Sequence, residues 1–146
     1  MGVINLTPDS FSDGGDLNSS KKVLDQVNHF LSNGADIIDL GAQSTRPGAK
    51  EVGSKIEIKR LIPYLKLIRS EYPEILISID TFNSDVAHEA LLNGANWIND
   101  VTGGRRDRKI LDVVSKFKCP FVITHSRGNS ANMLSLIHIS EPTRPY

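Results

Sequence analysis

Polar side chains stand at the ends of five short apolar runs in this chain, where buried strands are expected to stop. The five residues are Asn5, Asp39, Asp80, Asn99 and His125. A carboxylate or amide at the end of a buried strand needs a partner or a ligand, because burying an unpaired polar group is costly. Asp80 and Asn99 together suit the edge of an aminopyrimidinone ring, which presents N–H donors and a carbonyl. Each of them alone is also suited to capping the helix that follows.

A loop rich in hydrogen-bonding groups follows the first apolar run. Residues 5–15, NLTPDSFSDGG, contain two carboxylates, three hydroxyls and two glycines around Phe11. A connecting turn needs far fewer such groups. We therefore interpret this segment as a binding loop, although Asp9, Ser10 and Asp13 are also common turn-forming residue types.

A second polar loop, residues 42–48, follows the second apolar run and contains proline, glycine and a basic residue. Thr45 and Arg46 in this loop, together with Asn5 on the neighbouring strand, are groups that could take a phosphate or a metal-bound pyrophosphate. A solvated surface charge is the alternative for Arg46. The sequence thus predicts an anion site beside the carboxylate and amide groups.

The apolar runs alternate with segments of helical periodicity. The helix after the second loop is predicted to begin with a capping box from Ser54 to Glu57, and to kink or break near Pro63. The segment 31–39 recurs as 91–99, and each copy has Asn-Gly before an apolar run. This repeat indicates that the chain is built from successive βα units.

The alternation of strands and helices predicts a parallel sheet with right-handed crossover connections. Ligands bind at the carboxyl ends of the strands both in a (β/α)8 barrel and in an open doubly wound sheet, so the pattern leaves both folds open. Neither GxGxxG nor GxxxxGK followed by Ser or Thr occurs in the sequence. This argues against the nucleotide-binding versions of the open sheet.

Charge and composition favour a small-molecule site. The 146 residues carry 17 basic and 17 acidic side chains, so no excess charge favours nucleic acid or a membrane surface. The apolar runs are too short for a spanning helix, and the N-terminus lacks the pattern of a signal peptide. The single cysteine, Cys119, is expected to be a buried small side chain.

Four stretches of the sequence together resemble the successive signatures of the dihydropteroate synthase family. They are MGVINLTPDSFSDGG, GADIIDLGAQSTRPGA, ISIDTFNSDVAHEAL and GANWINDVTGG, in that family's order and at its spacing. The resemblance implies a TIM-type (β/α)8 barrel of which about the first five βα units are present. It also implies a transferase of folate biosynthesis that joins 6-hydroxymethyl-7,8-dihydropterin diphosphate to 4-aminobenzoate, giving 7,8-dihydropteroate and pyrophosphate.

The resemblance assigns roles to the polar residues at the strand ends. Asn5 matches the asparagine that helps to hold Mg²⁺, the implied cofactor, and the diphosphate. Asp39 and Asp80 match pterin-side carboxylates, and Asn99 matches the asparagine on the pterin ring. Of these, Asn5 and Asp80 are the residues expected to take part in catalysis.

The resemblance also assigns roles to the two polar loops. Thr45 matches a threonine that contacts phosphate, and Arg46 and Pro47 match the part of the second loop near the aminobenzoate. The first loop would close over the aminobenzoate as a lid. Its residues are Thr7, Pro8, Asp9, Ser10, Phe11, Ser12 and Asp13. The parent enzyme is implied to be a homodimer, cytoplasmic or, in a eukaryote, mitochondrial, and in some eukaryotes fused to other folate-pathway domains.

The sequence departs from the family pattern at two places within these motifs. Gln43 stands where the family often has glutamate, which leaves the role of position 43 open. The segment Thr124-His125-Ser126 stands where the family often has Met-His-Met, so packing against the pterin is expected to differ there. The family's later Asp, Ser-x-Lys and Arg-x-His motifs have no counterpart in the sequence.

Two other functions stay open at this point. A pterin-binding methyltransferase shares the barrel and the strand-end Asp and Asn, but it has no diphosphate or arylamine for the two polar loops to hold. The third reading is an inactive fragment that at most binds pterin. We expect this of the 146-residue chain itself, because an incomplete barrel has an unpaired hydrophobic edge.

The last thirteen residues, 134–146, read LSLIHISEPTRPY and resemble translated sequencing-adapter read-through. We predict that they are a non-native tail and that the partial domain comprises residues 1–133. Genomic sequence across the codon of Met133 tests this prediction. An open reading frame that continues into the same tail would contradict it.

Overall fold

The computed structural model describes residues 1–7, 17–44 and 48–123, in which strands and helices alternate as predicted. None of the helices in these ranges is long and apolar enough to cross a membrane. The elements are β1 (Gly2–Asn5), α1 (Leu17–Ser32), β2 (Ile37–Gly41), α2 (Ser54–Glu71), β3 (Leu76–Asp80), α3 (Ser84–Leu92), β4 (Trp97–Asp100), α4 (Lys109–Phe117) and β5 (Phe121–Ile123).

The strands form one parallel sheet in which neighbours in sequence are also neighbours in space, in the order β1-β2-β3-β4-β5. The helices contact one another in the same order, α1 with α2, α2 with α3 and α3 with α4. Right-handed crossovers between strands that advance in one direction place every helix on the same face of the sheet. This is the arrangement of a (β/α)8 barrel, and it excludes the open doubly wound sheet, in which the strand order reverses.

The face of the sheet that meets the helices carries the hydrophobic core. Ile4, Leu40, Ile79 and Ile98 are in register across β1 to β4 and are almost completely buried. Because side chains alternate along a strand, the residues before and after these four lie on the opposite face. The sheet thus separates a face that stabilises the fold from a face that is free to carry polar groups.

The sequence repeat is a repeated way of ending a helix. In both copies the asparagine side chain, of Asn33 or of Asn93, donates to the carbonyl oxygen four residues earlier at 2.7 Å. The next residues, Gly34 and Gly94, have φ values of 89° and 102°. This left-handed conformation favours glycine and lets the chain leave the helix toward the next strand. The prediction of successive βα units is confirmed.

The predicted capping box at the start of α2 is wrong. Gly53 is the N-cap, and its carbonyl accepts hydrogen bonds from the N–H groups of Ile56 and Glu57, each at 3.1 Å. Ser54 lies inside the helix, and the side chain of Glu57 is buried and bonded elsewhere. The helix continues through Pro63 without a break. Proline removes only one hydrogen bond, and the buried residues on both sides of it stabilise the helix.

Arg69, near the end of α2, holds together the loops at the amino-terminal end of the sheet. Its guanidinium donates to the carbonyl oxygen of Gly94 at 2.7 and 3.1 Å and to that of Ile75 at 2.8 Å. It also donates to Oδ1 of Asn96 at 2.6 Å. One planar cation thus satisfies acceptors from the loops that precede β3 and β4, a geometry that a lysine ammonium cannot reproduce.

We expect Arg69→Ala to lower the free energy of unfolding by about 3 kcal/mol, because several half-buried acceptors lose a charged donor. Arg69→Lys should recover only part of this. Urea unfolding followed by the fluorescence of Trp97, the single tryptophan, measures both. Arg105→Ala is the matched control, since Arg105 is exposed and donates to one carbonyl, that of Thr102. Equal stability of the Arg69→Ala and Arg105→Ala proteins would contradict the prediction.

Candidate active site

Three of the predicted site residues lie in one row across the open face of the sheet. Asn5 of β1 is in register with Gly41 of β2, Gly41 with Asp80 of β3, and Asp80 with Asn99 of β4. Asp39 lies in the next row down, two residues before Gly41 on β2. Because paired residues of adjacent strands point to the same face, the structure brings Asn5, Asp39, Asp80 and Asn99 together, as predicted.

Gly41 is a part of this row that the sequence reasoning missed. A Cβ added at Gly41 would lie 3.4 Å from Cβ and 3.6 Å from Oδ2 of Asp80, in van der Waals contact with that carboxylate. Glycine therefore leaves the side of Asp80 that faces β1 open. The signal in the sequence was a glycine at the end of an apolar run, which also fits an ordinary turn.

Two buried acceptors in the site lack a hydrogen bond. Oδ1 of Asp39 and Oδ1 of Asn99 have no partner among the residues that the structure describes. Most buried polar atoms in folded proteins are bonded, and an unpaired one destabilises the fold. The arrangement therefore suits a ligand that brings several N–H donors to this face.

Asp80 is surrounded by negative charge. Burial and then the charges of Asp39, Glu57 and Asp100 raise the pKa of Asp80 to about 7. These acidic groups belong to three different elements, β2, α2 and β4. A carboxyl with its pKa near neutrality, next to unpaired acceptors, is the kind of perturbed group found at functional sites.

Asp100 is satisfied by its own loop and has a structural part. Its Oδ1 accepts the N–H and the hydroxyl of Thr102, each at 2.8 Å, and its Oδ2 accepts the N–H of Gly104 at 2.7 Å. These bonds fix the turn that follows β4. Both oxygens of Asp100 are therefore bonded within the chain.

Glu57 was predicted to cap a helix, but it lies next to the site. It is 0% exposed, and its Oε2 accepts hydrogen bonds from the side-chain amides of Gln43 at 3.2 Å and Asn83 at 2.7 Å. Asn83 is the N-cap residue of α3 but leaves the capping to Asp107, whose Oδ2 accepts the N–H of Ser84 at 2.8 Å. Sequence spacing gave no sign of this arrangement.

Several predicted site residues lie outside the described residues. Of the predicted lid residues only Thr7, two residues after β1, is described, and it is half-buried. The other predicted site residues of the two polar loops lie outside the described ranges and stay predictions: Pro8, Asp9, Ser10, Phe11, Ser12, Asp13, Thr45, Arg46 and Pro47. The same holds for His125 and for the predicted tail at 134–146.

The chain is similar in sequence to proteins of known function. A family model described as "Pterin binding enzyme" matches residues 1–141. The chain is 51% identical over 135 residues to the folate synthesis bifunctional protein of Arabidopsis thaliana, covering 91% of this chain and 28% of that protein. It is 46% identical over 136 residues to the dihydropteroate synthase of Synechocystis, covering 93% and 47%.

Solved structures agree with the sequence relatives. The dihydropteroate synthase of Clostridium difficile, solved in the presence of pteroic acid, superimposes with a TM-score of 0.81 at 46% identity, covering 87% of this chain and 48% of that one. The Xanthomonas albilineans enzyme with 4-aminobenzoic acid gives a TM-score of 0.77 at 38% identity, covering 88% and 46%. The chain thus spans less than half the length of these relatives, and it matches part of a TIM barrel. On these matches and on the family match, the chain belongs to the pterin binding enzyme family.

Proposed function

We propose that this chain forms the pterin and diphosphate side of a dihydropteroate synthase site. The enzyme would join 6-hydroxymethyl-7,8-dihydropterin diphosphate to 4-aminobenzoate and release pyrophosphate. The observation that carries the proposal is the convergence of Asp39, Asp80 and Asn99 on one face, with unpaired acceptors on Asp39 and Asn99. The relatives named above favour this function over pterin-dependent methyl transfer.

The pterin ring supplies the donors that these acceptors lack. Its aminopyrimidinone edge has an exocyclic amino group, a ring N–H and a carbonyl. An ionised Asp80 would accept two N–H groups, and such charge-assisted pairs are stronger than neutral ones. Asn99 carries both an acceptor and donors, so it suits an edge on which N–H and C=O groups alternate. Asp39, one row below, would accept a further N–H.

Asn5 is proposed to act on the diphosphate. It is exposed at the end of β1, in the same row as Asp80, so its side chain lies on the open face of the sheet. No group of three acidic, histidine or cysteine side chains that could hold a metal occurs in the described ranges. Asn5 would contribute one oxygen to a Mg²⁺ ion that binds with the diphosphate, because Mg²⁺ commonly takes most of its oxygens from phosphates and water.

The reaction needs little covalent chemistry from the protein. The amine nitrogen of 4-aminobenzoate forms a bond to the pterin methylene carbon, the C–O bond to diphosphate breaks, and the diphosphate leaves with the electron pair. The amine proton passes to solvent. When bound, Mg²⁺ would neutralise charge on the leaving group. Asp80 and Asn99 would orient the pterin, while Thr45 and Arg46 are proposed to hold the phosphate and Arg46 and Pro47 to border the aminobenzoate.

The setting of the whole protein is also a proposal. Two relatives are bifunctional folate synthesis proteins of Arabidopsis thaliana, and the name of one includes "mitochondrial". We infer that this domain belongs to a protein of the same pathway, fused to another folate domain or acting alone. A homodimer in the cytoplasm or mitochondrion is proposed from the family resemblance.

Binding of 6-hydroxymethylpterin to the chain, measured by calorimetry, tests the proposal. We expect Asp80→Asn to weaken binding about 100-fold, since an amide replaces a charged acceptor of two hydrogen bonds. Binding by the unmodified chain should strengthen as the pH rises through about 7, where Asp80 ionises. Asp112→Asn, an exposed change on α4, is the matched control. Absence of pterin binding, or equal binding by both variants, would contradict the proposal.

The raised pKa of Asp80 also predicts a pH dependence of stability. Its value in the fold, about 7, lies above the ordinary value of 3.8, so the folded chain holds this proton to higher pH than the unfolded chain. The free energy of unfolding should therefore decrease as the pH rises from about 4 to about 7. Asp80→Asn removes this loss, and it should be more stable than the unmodified chain by at least about 1 kcal/mol at pH 8.

Urea unfolding at pH 4, 6 and 8, followed by Trp97 fluorescence, measures this difference. The gain from Asp80→Asn should grow with pH, whereas Asp112→Asn should show no such trend. A gain that is the same at every pH would show that Asp80 does not titrate in this range.

A further inference from the structure

The carboxylate of Glu57 connects two loops of the site. Glu57 lies in the first turn of α2, and its Oε2 accepts one amide hydrogen from Gln43 and one from Asn83. Gln43 comes two residues after β2 and Asn83 comes three residues after β3. A single buried oxygen thus bonds the loops that leave the ends of the two strands bearing Asp39 and Asp80.

The second N–H of the Gln43 side-chain amide closes the base of its own loop. Nε2 of Gln43 also donates to the carbonyl oxygen of Val52 at 3.2 Å. The two ends of the segment 43–52 are therefore held together next to Glu57. This bond explains why Gln43 is half-buried although it lies in a polar loop.

Burial of Glu57 does not serve the stability of the fold in an obvious way. Its Oε1 is buried and has no hydrogen-bond partner among the described residues. Replacing a buried charged group by a hydrophobic one of similar size is often neutral or stabilising. A negative group held close to the ligand face, where it acts on Asp80, has a functional explanation instead.

We propose that Glu57 is a positioning residue, which holds the base of the second loop and the loop after β3 in place through Gln43 and Asn83, and so fixes Asp80 between them. The proposal deepens the pterin site described above and rests on that function for its meaning. Its geometric part, the anchoring of the two loops, can be tested without any ligand. Glu57 itself is not expected to touch the substrate.

Amide exchange measured by NMR on the chain tests the anchoring. In Glu57→Leu we expect the backbone amide protons of Ser44, Val52 and Asn83 to exchange about tenfold faster, because their two loops lose the acceptor that holds the side chains of Gln43 and Asn83. Leu61→Ala is the matched control. Leu61 is buried one turn further along α2, so its loss destabilises the core without removing a bond to either loop.

Two further variants keep the test decisive. If Glu57→Leu does not fold, Gln43→Ala tests one of the two loops and leaves the helices intact. It removes the donor at Gln43, so Ser44 and Val52 should exchange faster, whereas Asn83 stays bonded to Glu57 and should not. Glu57→Gln keeps an oxygen acceptor and removes the charge, so the three amide protons should exchange as in the unmodified chain. Selective acceleration in Glu57→Leu or Gln43→Ala supports the proposal. Acceleration no greater than in Leu61→Ala overturns it.

A pH titration of Asp80, followed by the ¹³C NMR signal of its carboxyl carbon, tests whether Glu57 acts on Asp80 or only stabilises the fold. Within the described ranges, the charged groups that act on Asp80 are Asp39, Glu57 and Asp100, all of them acidic. Glu57→Gln removes one of these negative charges, so the midpoint for Asp80 should move down by roughly 0.5 pH unit. An unchanged midpoint would show that Glu57 does not act on Asp80.

Neither readout depends on the proposed enzyme activity. If the unmodified chain binds no 6-hydroxymethylpterin, the proposed function fails while exchange and titration still decide the part played by Glu57. If pterin binds but Glu57→Leu leaves both exchange and affinity unchanged, the positioning role fails and the proposed function stands. Where both hold, Glu57→Gln should retain pterin binding with its pH profile moved to lower pH.

Discussion

Near the carboxyl ends of β2, β3 and β4 lie four acidic side chains, Asp39, Glu57, Asp80 and Asp100. In the part of the chain that the structure describes, the charges that act on Asp80 are all negative. A parallel sheet forces this arrangement, because all strand ends that carry polar residues meet at one edge. Hydrogen bonds from neighbouring groups offset part of the repulsion among these carboxylates. The raised pKa of Asp80 shows that part of the repulsion remains.

The acidic residues differ in how many hydrogen bonds their oxygens accept, and this difference distinguishes structural residues from candidate ligand-binding residues. Asp100 accepts hydrogen bonds from backbone and hydroxyl groups of the turn after β4. These bonds offset the cost of burying its carboxylate without a ligand. Glu57 is bonded through one oxygen to two side-chain amides. Asp39 keeps an unpaired oxygen, and Asp80 a raised pKa. Asp39 and Asp80 lie on the open face, where the N–H donors of a pterin, the ligand proposed above, would pair with them.

The opposite end of the sheet shows the contrasting solution. There Arg69 donates to acceptors of the loops before β3 and β4, and glycines in left-handed conformation end α1 and α3. These contacts are satisfied within the chain. Barrels of this kind commonly keep stabilising contacts at the amino ends of the strands and the active site at the carboxyl ends. The electrostatic strain near Asp80 is tolerable because it is confined to one end.

Local signals predicted most of the fold from the sequence. Apolar runs, Asn-Gly helix ends and the polar residues after each run are patterns of neighbouring residues. They are enough to predict that Asn5, Asp39, Asp80 and Asn99 share one edge of the sheet. The choice between barrel and doubly wound sheet was not local. It depends on strand order, which alternating elements alone do not determine.

Glu57 shows what spacing cannot predict. Ser54 and Glu57 have capping-box spacing, yet the partners of Glu57 are Gln43 and Asn83, fourteen and twenty-six residues away. Packing α2 against the strand ends buries this side chain, and the amides of the two loops then compete with the helix end for its oxygen. Only the tertiary structure decides that competition.

The contact between Gln43 and Glu57 explains how the chain uses glutamine at position 43, where the family often has glutamate. Oε2 of Glu57 needs a hydrogen donor, and the amide of Gln43 supplies one to Glu57 and one to the carbonyl of Val52. A glutamate at position 43 has no hydrogen to donate unless it is protonated. Two carboxylates at this distance would share a proton or repel each other. Glutamine therefore allows the carboxylate of Glu57 to stay buried beside Asp80 while the loop that begins at Gln43 stays closed at its base.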